Sequence, residues 1–215
     1  MCRRIMISVI ITSFNQEEAL RCSLPVFLSQ TCCDYEVIVV DKNSEDLTVS
    51  YLEEMELSHE RLSHIVLPTS TKANNKDVMA MLLGIRHCVS QKVIIASAAC
   101  VPHSEHWLDD VLAVWGEDTK LLVIPELPGK YRGTDTFRLS LRQRYAMWLI
   151  AHGWPRRALS PVLGIEREVF LSCRRLNNKT KSVMRTSDLL VRYCSTNTNT
   201  SVLQDAKYSV YSLVP

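Results

Sequence analysis

The sequence predicts an α/β fold, a mostly parallel sheet flanked by helices, on three observations. Short apolar runs rich in β-branched residues recur along the chain, helix-patterned segments separate them, and the runs end at polar or proline-containing stretches. Runs that are apolar at every position require cover on both faces, the condition of a strand inside a parallel sheet. With 215 residues, 47% of them hydrophobic, the chain can bury a core as one domain spanning 1–215 without disulfides or metal.

The elements follow in order. Ile7 to Ile11 reads as a buried strand that meets solvent at Thr12-Ser13-Phe14-Asn15. Leu20, Leu24, Phe27 and Leu28 recur at helical spacing between Gln16 and Gln30, with Glu17 and Glu18 near the positive end of the dipole and Pro25 in the middle. Tyr35 to Val40 is the second strand, ending at Asp41. A helix between two apolar strands is a parallel βαβ unit, and open parallel sheets bind ligands at the carboxyl ends of their strands, where Asp41 stands.

The alternation continues with a helix from after Asp46 to about Ser58, a strand from Leu62 to Leu67, a helix from Lys72 to Val89 and a strand from Val93 to Ala96. Pro102 and Trp107 lead into a short helix ending at Trp115, and Leu121 to Ile124 is a strand stopped by Pro125 and Pro128. Thr136 to His152 reads as helix, Val162 to Ile165 as strand and Glu166 to Ser172 as a short helix. The polar Ser195 to Ser201 reads as a loop before a closing strand at Tyr208 to Leu213.

Composition narrows the function. A net charge of +2, from 25 basic and 23 acidic residues, calls for neither nucleic acid nor an anionic membrane, so any anion site must be local. The eight cysteines, Cys2, Cys22, Cys32, Cys33, Cys88, Cys100, Cys173 and Cys194, have no framework spacing and read as reduced, mostly buried thiols. Arg3-Arg4 before an apolar run imitates a signal peptide, but the run is too short and lacks a cleavage site. No apolar segment approaches a membrane span, so the expected location is the cytoplasm, with membrane-peripheral contact as an option considered below.

Three stretches then carry a resemblance. ISVIITSFN, LSQT and YEVIVVDKNSEDLT resemble the VSVIIPTYN, SQT and FEVIVVDDGSTDGT of the family 2 glycosyltransferases, whose fold is GT-A, the nucleotide-diphospho-sugar transferase type. Asn74, Ala80 and Gly84 are similar to that family's NxGxxxAxNxG helix, and VIIASAACVPHSEHWL lies where it has a strand, a DxD and PxxWL. The likeness is close over the first half of the chain and weaker over the second. It implies transfer of a sugar from a nucleotide sugar to a glycan or lipid acceptor, with Mg²⁺ or Mn²⁺ as the family's cation.

Such transfer needs a nucleotide clamp, positive charge on the departing diphosphate and a carboxylate base for the acceptor hydroxyl. By resemblance the clamp is Asp41, flanked by Thr12 and Asn15. Asp41 also reads as a strand-end cap, and the aspartate that typically reads the uracil base in the family is Lys42 here. The DxD falls on Ser97-Ala98-Ala99, where Ser97 offers a hydroxyl and both carboxylates are missing, so no metal ligand set and no bound cofactor is expected. Lys42, Lys72 or Lys76 would then supply charge to a diphosphate, or are ordinary surface lysines. The base motif ED-x-DL best matches Arg185-Thr186-Ser187-Asp188-Leu189, with Thr186 in place of the usual aspartate; Asp188 is the remaining catalytic candidate, and reads equally as a solvated helix residue.

Two functional readings stand open: a transferase, and a non-catalytic module that binds a ligand or regulates a partner on the same scaffold. A dinucleotide oxidoreductase lacks its glycine-rich turn after the first strand. Cys100, His103 and His106 form a C-x2-H-x2-H series that reads either as part of a soft-metal site or as incidental residues. From Arg138 to Arg157, arginines interleave with Phe137, Tyr145, Trp148 and Trp154, a mixture suited to a phosphate, a polyanionic acceptor or a membrane surface. The helical spacing of Leu141, Tyr145, Trp148 and Leu149 favours a stripe facing the core instead.

Overall fold

The computed structural model describes residues 7–32, 34–69, 76–128, 145, 148, 162–177, 200–203, 208 and 210–213. Its elements are β1 (Ile7–Ser13), α1 (Glu17–Leu28), β2 (Tyr35–Asp41), α2 (Thr48–Ser58), β3 (Leu62–Val66), α3 (Lys76–His87), β4 (Lys92–Ser97), β5 (Cys100–Pro102), α4 (Trp107–Val114), β6 (Leu121–Ile124), β7 (Glu126–Pro128), β8 (Val162–Glu166), a helix at Arg167–Asn177, β9 (Thr200–Val202) and β10 (Val210–Ser212). Seven strands form one sheet in the order β3-β2-β1-β4-β8-β6-β9, and β5-β10-β7 form a second.

In the large sheet β3, β2, β1 and β4 are mutually parallel. β8 runs against both β4 and β6, and β6 is parallel to β9, so β8 is the single reversed strand and the sheet is mostly parallel. Side chains alternate between two cores. Val9, Ile11, Val37 and Val39 pack with Leu20, Leu24 and Phe27 of α1, Leu52 of α2 and Trp107 of α4. Ile10, Ile38 and Val40 pack on the other side with Ala80 and Ile85 of α3 and Phe170. The β1 side chains from Ile7 to Ile11 other than Ser8 are all apolar and fully buried, and each contributes roughly 1.5–3 kcal/mol of burial.

Gly84 explains how closely α3 approaches β1. A Cβ there would lie 2.6 Å from Ile10 Cγ2, an atom on a stiff β-branched side chain, so the helix axis keeps its distance only with glycine.

The structure corrects several boundaries. β1 continues past Ile11 to Ser13 because Thr12 and Ser13 still pair with Val40 and Asp41 of β2. Thr200 and Ser201, the end of the stretch read as loop, form a strand with Val202 because β6 offers a parallel partner. β5 and β7, too short to be read from composition, exist through their pairing with β10. The helix after β8 extends to Asn177. Tyr145 and Trp148, assigned to a core-facing stripe by their spacing, are instead exposed on a helix, where i,i+3 placement lets their rings stack at 6.2 Å and 14°. Residues 70–75, the rest of 129–161 and 178–199, with Lys72, Asn74, the arginines from 138 to 157, Thr186 and Asp188, lie outside the described residues.

Candidate functional site

The carboxyl ends of β1, β2 and β4 lie side by side. Ser13 pairs with Asp41 across β1 and β2, and Thr12 with Ser97 across β1 and β4, so the candidates from three separate motifs share one edge. Two backbone bonds tie the exits together: Lys42 N–H donates to Ser13 C=O at 2.9 Å, and Ala98 N–H to Thr12 C=O at 3.1 Å.

Asp41 is fully buried. Its Oδ1 accepts from Ser13 Oγ at 2.9 Å and Ser44 Oγ at 2.6 Å, while Oδ2 accepts from Ser44 N–H at 2.7 Å. A buried carboxylate of this kind organises a turn, because leaving it unpaired is costly. This turn needs a left-handed residue, Asn43 at φ 68°, and the exit of β1 needs another, Asn15 at φ 50°; asparagine is among the few residues that tolerate that region.

The segment 41–48 then clasps the start of α1. Asn15 N–H donates to Ser44 Oγ at 2.8 Å, and Glu45 N–H returns to Asn15 Oδ1 at 2.8 Å. Gln16 N–H reaches Thr48 Oγ1, and Glu17 N–H reaches Asp46 Oδ2, each at 3.3 Å, so otherwise orphaned amides at the helix start find partners on the neighbouring loop. Burial acts to raise the Asp46 carboxyl, but hydrogen bonds from Thr48 and the Glu17 amide outweigh it and hold the group below its ordinary value of 3.8. Ser13, Ser44 and Asp46 were not singled out in the sequence; the register placing Ser13 opposite Asp41 was the signal that could have found the first.

Phe14 projects at this edge and is 42% exposed. Lys42 Nζ lies 5.9 Å and Lys76 Nζ 5.8 Å from its ring centre. Lys42 also pairs with Asp77 Oδ1 at 2.7 Å, on the first turn of α3. Thr12 is largely buried and Asn15 exposed. The edge therefore presents a partly exposed aromatic face, two ammonium groups and a rigid turn.

At the end of β4, Ser97 Oγ accepts from Ala99 N–H at 3.3 Å, and Ala98 and Ala99 are buried. The C-x2-H-x2-H series does not converge: Cys100 is buried, His103 Nδ1 lies 3.0 Å from Tyr211 Oη, and His106 Nδ1 lies 3.0 Å from Thr31 Oγ1. Among the described residues no group of three or more His, Cys, Asp or Glu is placed to hold a metal ion.

The family model for glycosyl transferase family 2 matches residues 8–176. The chain belongs to that family. An uncharacterized glycosyltransferase of Haemophilus influenzae is 28% identical over 107 residues, which are 50% of this chain and 32% of the relative. Among solved structures, the mannosyltransferase PcManGT of Pyrobaculum calidifontis, in complex with GDP-Man and Mn²⁺, superposes with a TM-score of 0.72 at 16% identity, covering 99% of this chain and 58% of that one. S. aureus TarS 1–349 in complex with UDP-GlcNAc gives 0.67 at 21% identity, covering 96% and 58%. These likenesses show the GT-A fold. The chain spans about a third of the curated relative and under two thirds of the structural neighbours.

Among the described residues the edge fits a divalent cation poorly. A hard cation takes several oxygen ligands, usually carboxylates, and the DxD position supplies one hydroxyl, already accepting a backbone hydrogen bond, and two methyl groups. The nearby Asp41 carboxylate is buried and already accepts three hydrogen bonds. No helix among the described residues is long and apolar enough to cross a membrane.

Proposed function

We propose that the edge formed by β1, β2 and β4 binds a nucleotide-activated sugar, and that this is the function the family 2 scaffold retains in this chain. The observation that carries the reading is the convergence of Asp41, Lys42, Phe14 and Asn15 on one rigid turn at the carboxyl end of the sheet, where open parallel sheets take their ligands. Neighbours with this fold, solved in complex with GDP-Man and UDP-GlcNAc, support the ligand class. The reaction belonging to this reading is transfer of the sugar to a glycan or lipid acceptor, with Asp188 as the available carboxylate of the base motif.

A second reading has its own observation. Ser97-Ala98-Ala99 and Thr186 stand where the resemblance calls for carboxylates, which favours a domain that holds its ligand without transferring it. Calorimetric titration with UDP-GlcNAc and GDP-Man, paired with a product assay on glycan and lipid acceptors, separates the two. Binding with turnover supports the transferase, binding without turnover the non-catalytic module, and no binding sinks both. The stacked, exposed Tyr145 and Trp148 support contact with a membrane surface; unchanged recovery in vesicle sedimentation after Tyr145→Ala with Trp148→Ala would remove that support.

A further inference from the structure

We infer that Lys42 and Lys76, gathered at Phe14, form a metal-independent clamp for the diphosphate of the bound nucleotide. The inference rests on the nucleotide reading of this edge and adds how the anion is held. A diphosphate needs concentrated positive charge, and Ser97, Ala98 and Ala99 cannot fix a divalent cation to supply it. Among the described residues, the positive charge gathered on the same edge is the lysine pair. Both ammonium groups lie within 6 Å of one ring centre, so an anion beside Phe14 is within reach of both flexible side chains.

The pair is assembled from distant segments. Lys42 follows β2, Lys76 opens α3, and Phe14 follows β1. Asp77 neutralises part of the cluster through Lys42; its side chain is 59% exposed against 19% for Lys42, so a competing anion reaches the pair from the Asp77 side. A diphosphate, carrying more negative charge than one carboxylate, exchanges with Asp77 for the Lys42 ammonium. Asp77 thus stands where the anion would and keeps Lys42 beside the ring.

The test is calorimetry of UDP, UMP, GDP and GMP binding to the full chain, in EDTA and in MnCl₂. The clamp predicts diphosphate dissociation constants that agree within about twofold in the two buffers. Lys42→Met with Lys76→Met weakens UDP and GDP about tenfold or more and erases their advantage over UMP and GMP, whereas Lys42→Arg with Lys76→Arg retains it. Asp77→Asn tightens diphosphate binding severalfold, a change that a merely structural ion pair would not produce. Circular dichroism and thermal melting verify that each variant is folded. Binding that requires Mn²⁺, or that survives loss of both lysines in folded protein, overturns the clamp and leaves the nucleotide reading standing. Failure of all four nucleotides to bind under either condition overturns the nucleotide reading and the clamp with it.

Discussion

The two ends of β1 and β2 each carry a buried polar cluster, and they differ in what they leave at the surface. At the amino end, Ser8 Oγ meets Glu36 Oε1 and Ser90 Oγ, and Val89 N–H donates to Glu36 Oε1 at 2.9 Å. Beside it Cys88 is buried, which pushes its thiol above the ordinary 9.0. At the carboxyl end Asp41 accepts through both oxygens, and the chain around it presents Phe14 and Lys76 to solvent with the half-buried Lys42 beside them. Both clusters satisfy buried groups, as stability demands. At the amino end the cations Arg61 and Lys92 lie over Tyr35 and Trp115, rings that are buried, whereas the ring at the carboxyl end, Phe14, is 42% exposed beside Lys42 and Lys76, and that exposed ring beside charge is what supports the proposed nucleotide site there.

Removing each carboxylate in turn is the sharpest way to break the comparison. Asp41→Ala strips three donors of their acceptor and should cost about 3 kcal/mol in urea denaturation, with nucleotide binding lost as the 41–48 clasp loosens. Between the two ends, Gly84→Ala drives a methyl group against Ile10 and should cost about 1–3 kcal/mol; it also displaces α3 and so weakens nucleotide binding through Lys76. Glu36→Ala should cost about 1 kcal/mol and leave nucleotide affinity unchanged. An equal loss of affinity from Glu36→Ala and Asp41→Ala would erase the distinction between the ends.

The smallest effects separate the ends by pH. Asp46 has a folded value below 3.8, so its contribution is present above that unfolded value and is lost as pH falls through the lower folded value. Solvent exposure of the group limits this to under about 0.5 kcal/mol. Cys88 has a folded value above 9.0, so its contribution is complete below pH 9.0 and is lost as pH rises through the higher folded value. Thermal melts should therefore show Asp46→Asn flattening the acid limb and Cys88→Ala flattening the alkaline limb. The reverse assignment would count against the stated causes.

The run of elements from β1 to β4, the layering of helices on both faces and the gathering of the motif residues at one sheet edge were legible in the sequence alone. Ile7 to Ile11 apart from Ser8, Val37 to Val40 and Val93 to Ile95 are apolar, and such runs are stable only as interior strands with helices on both sides. The motif residues Thr12, Asn15, Asp41, Lys42 and Ser97 follow directly on those strands, so parallel pairing alone brings them together. Only the tertiary structure decided the reversed direction of β8, the strand at Thr200–Val202 and the three-stranded second sheet, because these short segments take their conformation from a partner far along the chain. It also decided that Asp41 is consumed by Ser13 and Ser44, that Tyr145 and Trp148 face outward, and that Lys42 meets Asp77. Periodicity reports which residues need burial within one segment; it carries no information on which distant side chains satisfy a buried carboxylate or gather around Phe14, since those contacts exist only once helices and strands have packed.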